Sequence, residues 1–516
     1  MRIHIRIEDL AFERSLANIA ALFDEDAAVT AGPDAADDAE WTVRVDVRDQ
    51  AGGVHAAAVL TEAGGGEPVR AEQFRAVPDG ASDEERRAVR RQAAGAALLD
   101  ALERRTGILQ PWGILTGVRP TKLLHDRNLR GIGREETRRE LRQLYRISEE
   151  KIALMERIVD RQLAVIPDLY DLGREVSLYV GIPFCPTKCA YCTFPAYDIN
   201  GRQGSVDGFL YGLHEEMRLI GDWLRRTGVG VTTIYYGGGT PTSISAEEMD
   251  ALYALMYEAI PGIERVREIT VEAGRPDTIT PEKLDVLRKW KIGRISINPQ
   301  SYTQATLDRI GRWHTVEETI EKFKLARKHG MDNINMDLII GLPGEGPEEF
   351  AHSLAETEKL MPESLTVHTL SFKRASEMTR RRREGDGVYR VAGREDIVKM
   401  TAMALEWTEA HGYVPYYLYR QKNILGNQEN VGYAKPGAES LYNILMMEEM
   451  QSIIGIGCGA TSKFIDPMTG EITRHANPKE PKAYIESWER AAEAKIEALD
   501  RVFQAGAAGA AGAASV

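Results

Sequence analysis

Apolar residues in the middle of the chain form six short β-rich runs that alternate with longer stretches of helical periodicity. The runs lie at 177–182, 231–236, 268–273, 293–298, 333–340 and 364–370. The helical stretches lie at 206–227, 246–260, 281–290, 315–329, 347–360 and 392–411. Alternation of strand and helix predicts parallel strands joined by helical crossovers. We therefore predict an α/β fold built on an open, six-stranded parallel (β/α)6 barrel, whose open side would admit a large substrate.

The first 170 residues follow a different pattern. Arg2–Ile7 and Trp41–Val47 alternate polar and apolar residues with period two, which is typical of half-buried antiparallel strands. A helical stretch covers about 82–105, and a charged helical stretch over about 133–165 leads into the barrel. These elements predict an N-terminal α+β domain with a helical connector over 1–170.

The pattern also predicts how the rest of the chain is divided. The barrel is expected over 171–385, and an α+β extension on the substrate side over 386–503. Residues 504–516 form an Ala/Gly-rich tail with nothing to bury, so we expect this tail to be disordered.

Composition and charge limit the classes of protein to consider. The chain has 516 residues, 43% of them hydrophobic, which suits two or three soluble domains. It contains no apolar stretch long enough to span a membrane, and it opens on charged alternation rather than on a signal peptide. A net charge of −13 argues against a nucleic-acid partner. Because grouped cysteines suit a reducing compartment, we expect a cytoplasmic location.

Three of the four cysteines lie close together, at Cys185, Cys189 and Cys192. Three thiolates on one short loop can hold three irons of a 4Fe–4S cluster, and the absence of a nearby fourth cysteine leaves one iron open. An open iron suits a cluster that binds a small molecule and reduces it. The alternative is a zinc site, which needs four ligands; the nearest histidine, His214, lies about twenty residues away on a predicted helix.

Other polar residues recur at the ends of the predicted strands. Each of them has a plainer interpretation on its own, as a turn, a strand cap or a solvated charge. All except Arg312 nevertheless fall within or just after a strand, and βα barrels place their active sites at the carboxyl ends of their strands. The residues concerned are Gly238, Gly239, Thr240, Glu272, Gln300, Arg312 and Asp337.

These motifs together resemble a known family. The stretch from Tyr179 to Phe194, which contains the three cysteines, and the Gly-Gly-Gly-Thr-Pro segment at 237–241 resemble the radical S-adenosylmethionine superfamily. The similarity covers about 177–478 and is greatest to the coproporphyrinogen III oxidase/dehydrogenase branch, especially its HemZ type. It implies a partial radical-SAM barrel that uses a 4Fe–4S cluster and S-adenosyl-L-methionine.

The resemblance also implies a role for each matching residue. The cluster ligands would be Cys185, Cys189 and Cys192. Contacts to adenosylmethionine would come from Tyr179, Tyr191, Gly238, Gly239, Thr240, Glu272, Gln300, Arg312 and Asp337. Among these, Glu272 and Arg312 would pair with its amino and carboxylate groups, and Gln300 and Asp337 would hold the ribose hydroxyls.

The implied reaction is the oxidative decarboxylation of coproporphyrinogen III. A 5′-deoxyadenosyl radical would remove hydrogen from the β-carbon of a propionate, after which carbon dioxide leaves and a vinyl group remains. Two such steps would give protoporphyrinogen IX in haem biosynthesis. The cofactors supply this chemistry, so we expect no side chain to act as general acid or base. An electron donor and an electron acceptor, both unidentified, are required as partners.

Four cations are candidates for binding the substrate, because its propionates need positive charge within an otherwise apolar cavity. Lys373 and Arg374 follow the sixth run, and Arg420 and Lys422 lie in the aromatic stretch 416–423. The run Arg380–Arg383 is interpreted instead as a solvated face, and Cys458 as a small residue of the core.

Two departures from related patterns leave alternatives open. The oxygen-independent oxidases carry a further cysteine and a histidine where this chain has Phe194 and Gly181, which leaves open whether a second adenosylmethionine binds. Haem-chaperone relatives share the aromatic residue but carry His-Asn-x-x-Tyr-Trp where this chain reads Tyr442-Asn443-Ile-Leu-Met-Met447. Binding and transfer of haem is therefore the alternative function.

The cysteine loop generates a first prediction. Anaerobically purified protein should contain about four irons per chain, and replacing any of Cys185, Cys189 or Cys192 by Ala should abolish the cluster. Cys458→Ala is the matched control and should keep it. Iron analysis and the visible absorption spectrum provide the measurement, and one zinc per chain without iron would contradict the prediction.

Overall fold

The computed structural model describes the whole chain except residues 25, 26, 35, 37, 118, 200, 202, 203, 374, 386, 468 and 514–516. From residue 504 onward it describes only the backbone. The chain forms two compact units. One contains Met1–Val159 together with Tyr419–Glu429, and the other contains Asp160–Leu418 together with Asn430–Val516. A short segment of the predicted C-terminal extension thus belongs to the N-terminal unit.

The N-terminal unit packs a sheet against a long helix. Its strands are β1 (Arg2–Arg6), β2 (Ala28–Gly32), β3 (Trp41–Gln50), β4 (Gly53–Glu62) and β5 (Val69–Ala76). Its helices are α1 (Glu13–Ala20), α2 (Asp83–Thr106), α3 (Lys122–Leu129), α4 (Arg134–Leu144) and α5 (Glu149–Val165), of which α5 continues into the second unit. Ser82 and Glu85 form a capping box at the start of α2. Apolar residues of α1, α2 and the sheet form the core of this unit.

The pairing in this sheet corrects one expectation. Both predicted strands exist, but β1 pairs with β3 in parallel, not antiparallel. The sheet order is β2-β1-β3-β4-β5, with β1 also parallel to β2. The chain from β1 to β2 passes through α1, and a helical crossover returns the chain in the same direction. Period-two alternation reports a half-buried strand and does not encode the direction of its partner.

The second unit contains the remaining strands. They are β6 (Glu175–Ile182), β7 (Phe184–Cys185), β8 (Tyr197–Asp198), β9 (Gly230–Gly238), β10 (Glu268–Val271), β11 (Arg294–Ser296), β12 (Ile334–Ile340), β13 (Ser364–Thr369), β14 (Val414–Tyr419), β15 (Asn430–Ala434), β16 (Ile453–Gly457), β17 (Thr461–Ile465) and β18 (Ile472–Ala476). The last residue of β14 is counted with the N-terminal unit.

The helices of this unit cover and connect the strands. They are α6 (Val206–Thr227), α7 (Ala246–Ala259), α8 (Pro281–Lys289), α9 (Gln304–Arg309), α10 (Val316–Lys328), α11 (Pro347–Leu360), α12 (Glu377–Arg383), α13 (Arg394–Ala410), α14 (Leu441–Glu448) and α15 (Pro481–Ala513). Composition predicts disorder from 504, whereas the backbone continues α15 to Ala513; alanine favours a helix more than any other residue.

The six predicted strands form the parallel centre of one sheet. In the described residues its order is β14-β15-β13-β12-β11-β10-β9-β6-β16-β17-β18, and β6 and β9–β13 all pair in parallel. The predicted (β/α)6 architecture is therefore confirmed. Residues of the predicted C-terminal extension continue the sheet at both edges, with β15 antiparallel to β13 and β16 parallel to β6. No helix in the described residues is long and apolar enough to cross a membrane.

A buried charge on α6 holds the C-terminal helix in place. Glu216 is completely buried, forms an ion pair with Lys495 of α15, and accepts hydrogen bonds from the Gly457 amide (2.8 Å) and the Tyr484 hydroxyl (2.7 Å). The Asn477 amide also donates to it, at 2.9 Å. One carboxylate thus connects α6, α15, the last residue of β16 and the residue that follows β18.

This cluster predicts a large effect on stability. Lys495→Ala should lower the free energy of unfolding by about 3–5 kcal/mol, because it leaves Glu216 charged and buried without its cation. Arg218→Ala removes an exposed i,i+3 pair of the same helix and should cost less than about 1 kcal/mol. Urea denaturation of the two variants measures both changes, and equal losses would show that the buried pair has no special role.

Candidate active site

The cysteine loop is held by backbone hydrogen bonds on both sides. β7 pairs in parallel with β8, and the Cys192 amide donates to the Cys189 carbonyl at 3.0 Å. The Ala190 amide donates to the Ile310 carbonyl at 2.9 Å, so the chain after α9 supports the middle of the loop. These contacts leave the three thiols on one short, fixed segment.

The thiols lie in surroundings that disfavour free thiolates. Burial, together with the neighbouring Cys189 and Cys192, raises the pKa of Cys185 to about 11. Burial and Cys189 likewise raise the pKa of Cys192. A metal centre reverses this preference, because a coordinating thiol is deprotonated by the metal's positive charge. Three neighbouring, largely buried thiols therefore suit a positively charged iron core, which would bind them as thiolates.

No three His, Cys, Asp or Glu side chains in the described residues are arranged to hold a single metal ion. A cubane cluster does not require such convergence, because each of its thiolates binds a different iron. The chemistry and sequence spacing of Cys185, Cys189 and Cys192 thus fit the cluster.

The glycine segment that ends β9 lies directly against the cysteine loop. Gly238 has a φ of +107°, and a Cβ at Gly239 would lie 2.5 Å from the Phe184 carbonyl oxygen. The Thr240 amide donates to that same oxygen at 2.7 Å, and the Thr240 hydroxyl lies 3.4 Å from the Cys185 sulfur. The structure therefore brings Gly238, Gly239 and Thr240 next to the cysteine loop.

Next to this segment, three tyrosine rings stack beside a carboxylate. The ring of Tyr235 lies 6.2 Å from that of Tyr179 and 4.4 Å from that of Tyr442, centroid to centroid. The Tyr235 hydroxyl donates to Glu272, which follows β10. Burial raises the pKa of Glu272 to about 7, so this carboxyl group is only partly ionised at neutral pH without a cation. A bound ammonium group would supply that cation.

A second carboxylate, Asp337 of β12, is held in its charged form. Its neighbours are His368 of β13, with Nε2 at 3.5 Å from Oδ2, and the Asn335 amide, at 2.7 Å from Oδ1. Burial alone would raise the pKa of Asp337, but the bonds from His368 and Asn335 outweigh it and hold the pKa below its usual range. Asp337 and Glu272 are near enough for Asp337 to raise the pKa of Glu272. The site thus contains Asp337, which is ionised at neutral pH, and Glu272, which is only partly ionised there.

Arg312 and Gln300 complete the set of predicted contacts. The Arg312 guanidinium donates to the carbonyls of Gly274 (2.7 Å) and Asn298 (2.8 Å), and hydrogen-bonds with Tyr191. Gln300 has a φ of +66°, and its backbone hydrogen bonds with Asp337 and Ile339 pair it with β12. Burial raises the pKa of Tyr191 well above its usual range, so its phenol stays protonated.

Several buried polar atoms at this end of the sheet have no hydrogen-bond partner within the described residues. Such atoms are rare in proteins, because each costs about 1–3 kcal/mol. A ligand that offers several donors and acceptors would satisfy them, so the residues present fit adenosylmethionine. The atoms are Ser296 Oγ, Asn298 Oδ1, Gln300 Oε1, Arg312 Nε and both ring nitrogens of His314.

Sequence reasoning missed several residues of this site. Ser296 and Asn298 precede Gln300 by four and two positions, and Tyr235 precedes Gly237 by two, so alternation along the strands was a usable signal. His368 lies within the sixth predicted strand and could have been found in the same way. Tyr442 carried no such signal, since it reaches the site from α14, far along the chain.

Of the four candidate substrate cations, one lies beside the cysteine loop. Lys373 Nζ is 5.6 Å from the centroid of the Phe194 ring, and Cys192 is close enough to influence its charge. Burial lowers the pKa of Lys373, so an anionic partner would stabilise its charged form. Arg374 lies outside the described residues.

The other two cations belong to the N-terminal unit. Arg420 is buried, donates to the Leu115 carbonyl and to Asn427, and lies 5.1 Å above the Trp112 ring. Burial lowers its pKa to about 10. Lys422 is exposed. These contacts occupy both terminal nitrogens of Arg420 within its own unit, and the substrate role of Arg420 and Lys422 stays a prediction.

Comparison with known proteins supports the barrel fold. Residues 179–356 match the Radical SAM superfamily. The structure of coproporphyrinogen III oxidase (HemN) from Escherichia coli superposes with a TM-score of 0.50 and 23% identity, over 63% of this chain and 72% of that one. The protein is therefore a radical SAM protein with this barrel fold, and its cofactors are a 4Fe–4S cluster and S-adenosylmethionine.

Curated relatives identify a smaller family within this superfamily. The oxygen-independent coproporphyrinogen-III oxidase-like protein HemZ of Bacillus subtilis (strain 168) is 66% identical over 406 residues, which are 79% of this chain and 80% of that protein. The heme chaperone HemW of Escherichia coli (strain K12) is 30% identical over 64% of this chain and 80% of its own length. The chain belongs to the HemZ family of oxygen-independent coproporphyrinogen-III oxidase-like proteins.

The polar site predicts a separation between cluster and cofactor binding. Arg312→Ala and Asp337→Ala should keep a normal cluster yet bind adenosylmethionine at least about tenfold more weakly, because each removes a charge-assisted contact worth about 1.5–3 kcal/mol. Arg288→Ala, on the exposed side of α8, is the control. Calorimetric titration measures the affinities, and unchanged values in the first two variants would remove both residues from the cofactor site.

Proposed function

We propose that this protein is an oxygen-independent coproporphyrinogen III dehydrogenase, which converts two propionates of its substrate to vinyl groups and gives protoporphyrinogen IX. In each step the propionate loses one β-hydrogen atom, one electron and carbon dioxide. An electron donor and an electron acceptor complete the balance. The high identity to HemZ over four-fifths of both chains supports the substrate class.

The position of Lys373 beside the cysteine loop is the observation that supports this proposal most directly. Its half-buried ammonium group lies over the Phe194 ring, two residues past the third cluster cysteine. In the described part of the chain it has no carboxylate partner, although burial makes its charge costly. A propionate of the substrate would provide that partner while the apolar ring contacts the pyrrole face. This arrangement would hold a propionate side chain next to the cluster loop.

The proposed roles of the remaining residues concern binding and orientation. When bound, the cluster and adenosylmethionine supply the radical chemistry. Glu272 and Arg312 hold the amino and carboxylate groups of the methionyl part, while Gln300 and Asp337 hold the ribose. Orientation of this kind lowers a barrier by fixing the reacting groups before the reaction begins.

Transfer of haem is the second candidate function. The HemW relatives, at about 30% identity, are heme chaperones, and two of them match 55% and 64% of this chain. Lys373 would then contact a haem propionate instead. The two functions differ in their consumption of adenosylmethionine, which only the dehydrogenase reaction couples to loss of carbon dioxide.

Anaerobic assay separates the two functions. Reconstituted protein with coproporphyrinogen III, a chemical reductant and an electron acceptor should release 5′-deoxyadenosine, carbon dioxide and protoporphyrinogen IX. Lys373→Gln should raise the KM for the porphyrinogen about tenfold and leave uncoupled 5′-deoxyadenosine formation unchanged, because a charged hydrogen bond to substrate is lost.

Lys399→Gln, on the exposed side of α13, is the matched control and should behave as the wild type. Stoichiometric haem binding and its transfer to an apoprotein, without decarboxylated product, would reject the dehydrogenase in favour of the chaperone function.

A further inference from the structure

We infer that Tyr235 is a positioning residue for Glu272: its hydroxyl fixes one carboxylate oxygen so that the other is presented to the ammonium group of adenosylmethionine. This inference rests on the contact between Glu272 and adenosylmethionine proposed above. Tyr235 itself is not assigned a contact with the cofactor.

The two oxygens of Glu272 have different surroundings. Oε1 accepts the hydrogen bond from the Tyr235 hydroxyl. Oε2 lies beside Gly237, where a Cβ atom would come within 3.2 Å of it. The absent side chain therefore keeps this oxygen uncovered. Glu272 remains partly accessible despite its depth in the sheet, as expected for a group that lines a cavity.

The ring of Tyr235 packs against two other tyrosine rings, Tyr179 and Tyr442, whose centroids lie 6.3 Å from each other. Tyr442 stacks at 4.4 Å with an interplanar angle of 21°, and Tyr179 stacks at 6.2 Å with an angle of 15°. The backbone of Tyr235 is fixed by the parallel pairing of β9 with β6 and β10. A ring held in this way can direct its hydroxyl at Glu272 without losing further conformational entropy when the cofactor binds.

No lysine or arginine among the described residues contributes to the charge state of Glu272. The titratable groups that face it are the phenols of Tyr179, Tyr235 and Tyr442, the carboxylate of Asp337 and the imidazole of His368. Burial raises the pKa of Glu272 to about 7, Asp337 also raises it, and the Tyr235 hydrogen bond lowers it.

The hydrogen bond thus favours the charged form that an ammonium group needs. Removing it would raise the pKa of Glu272. A larger fraction of the protein would then carry a neutral Glu272 at neutral pH, and the effect would fade at alkaline pH, where the group is ionised with or without the bond.

Tyr235→Phe tests the inference, since it keeps the stacked ring and removes only the hydroxyl. We expect a full complement of iron and a Kd for adenosylmethionine that rises about tenfold at pH 7, as for the loss of one hydrogen bond to a charged group. The loss should be larger at pH 6 and smaller at pH 9. Tyr236→Phe is the matched control, because its hydroxyl points to Met256 instead and its affinity profile should match the wild type.

A second variant separates failure of this inference from failure of the assumed contact. Glu272→Gln should weaken binding, and adding Tyr235→Phe to it should cause little further loss, because the two residues act through one interaction. If Glu272→Gln binds as the wild type does, the assumed contact is wrong. If Glu272→Gln weakens binding but Tyr235→Phe leaves both the affinity and its pH profile unchanged, the positioning role is overturned and the contact stands.

Discussion

The close approach of the β9 glycines to the cysteine loop is the constraint on which the site depends. At Gly239 a side chain would collide with the Phe184 carbonyl, and at Gly238 the backbone adopts a φ that side chains disfavour. Only this approach lets Thr240 bond to Phe184 and reach Cys185. Because β9 also carries Tyr235, the same contact fixes the distance between the cluster ligands and the acidic end of the site.

The site achieves its chemistry at a cost in stability. Its side chains at the carboxyl ends of β10–β12 include buried atoms that have no hydrogen-bond partner within the described residues, and burial of Glu272 disfavours its charge. Elsewhere in the same unit the buried carboxylate Glu216 has an ion pair and several hydrogen bonds. The contrast separates two kinds of buried acid. Glu216 stabilises the fold through its ion pair with Lys495, whereas Glu272 would gain a cationic partner from a bound ligand.

The sequence predicts the barrel well because its signals are local. All six strands and their helices follow from runs of apolar residues and their spacing. The predicted antiparallel direction of β1 relative to β3 was wrong, because alternation of polar and apolar residues does not encode the direction of the partner strand. The substrate role predicted for Arg420 from its aromatic and basic neighbours stays a prediction, and its guanidinium hydrogen-bonds within the N-terminal unit. Composition alone does not show which hydrogen bonds a cation makes within the fold.

Tyr442 lies where this chain departs from the sequence element described above for the haem chaperones. That element begins with histidine in the chaperones and with Tyr442 in this chain. Here that residue stacks on Tyr235, whose hydroxyl bonds to Glu272. The difference therefore falls beside the acidic end of the candidate cofactor site and not on a remote surface. Since a tyrosine and a histidine would support the Tyr235 ring with different contact areas and different charge, the environment of Glu272 is where the two groups of proteins are expected to diverge.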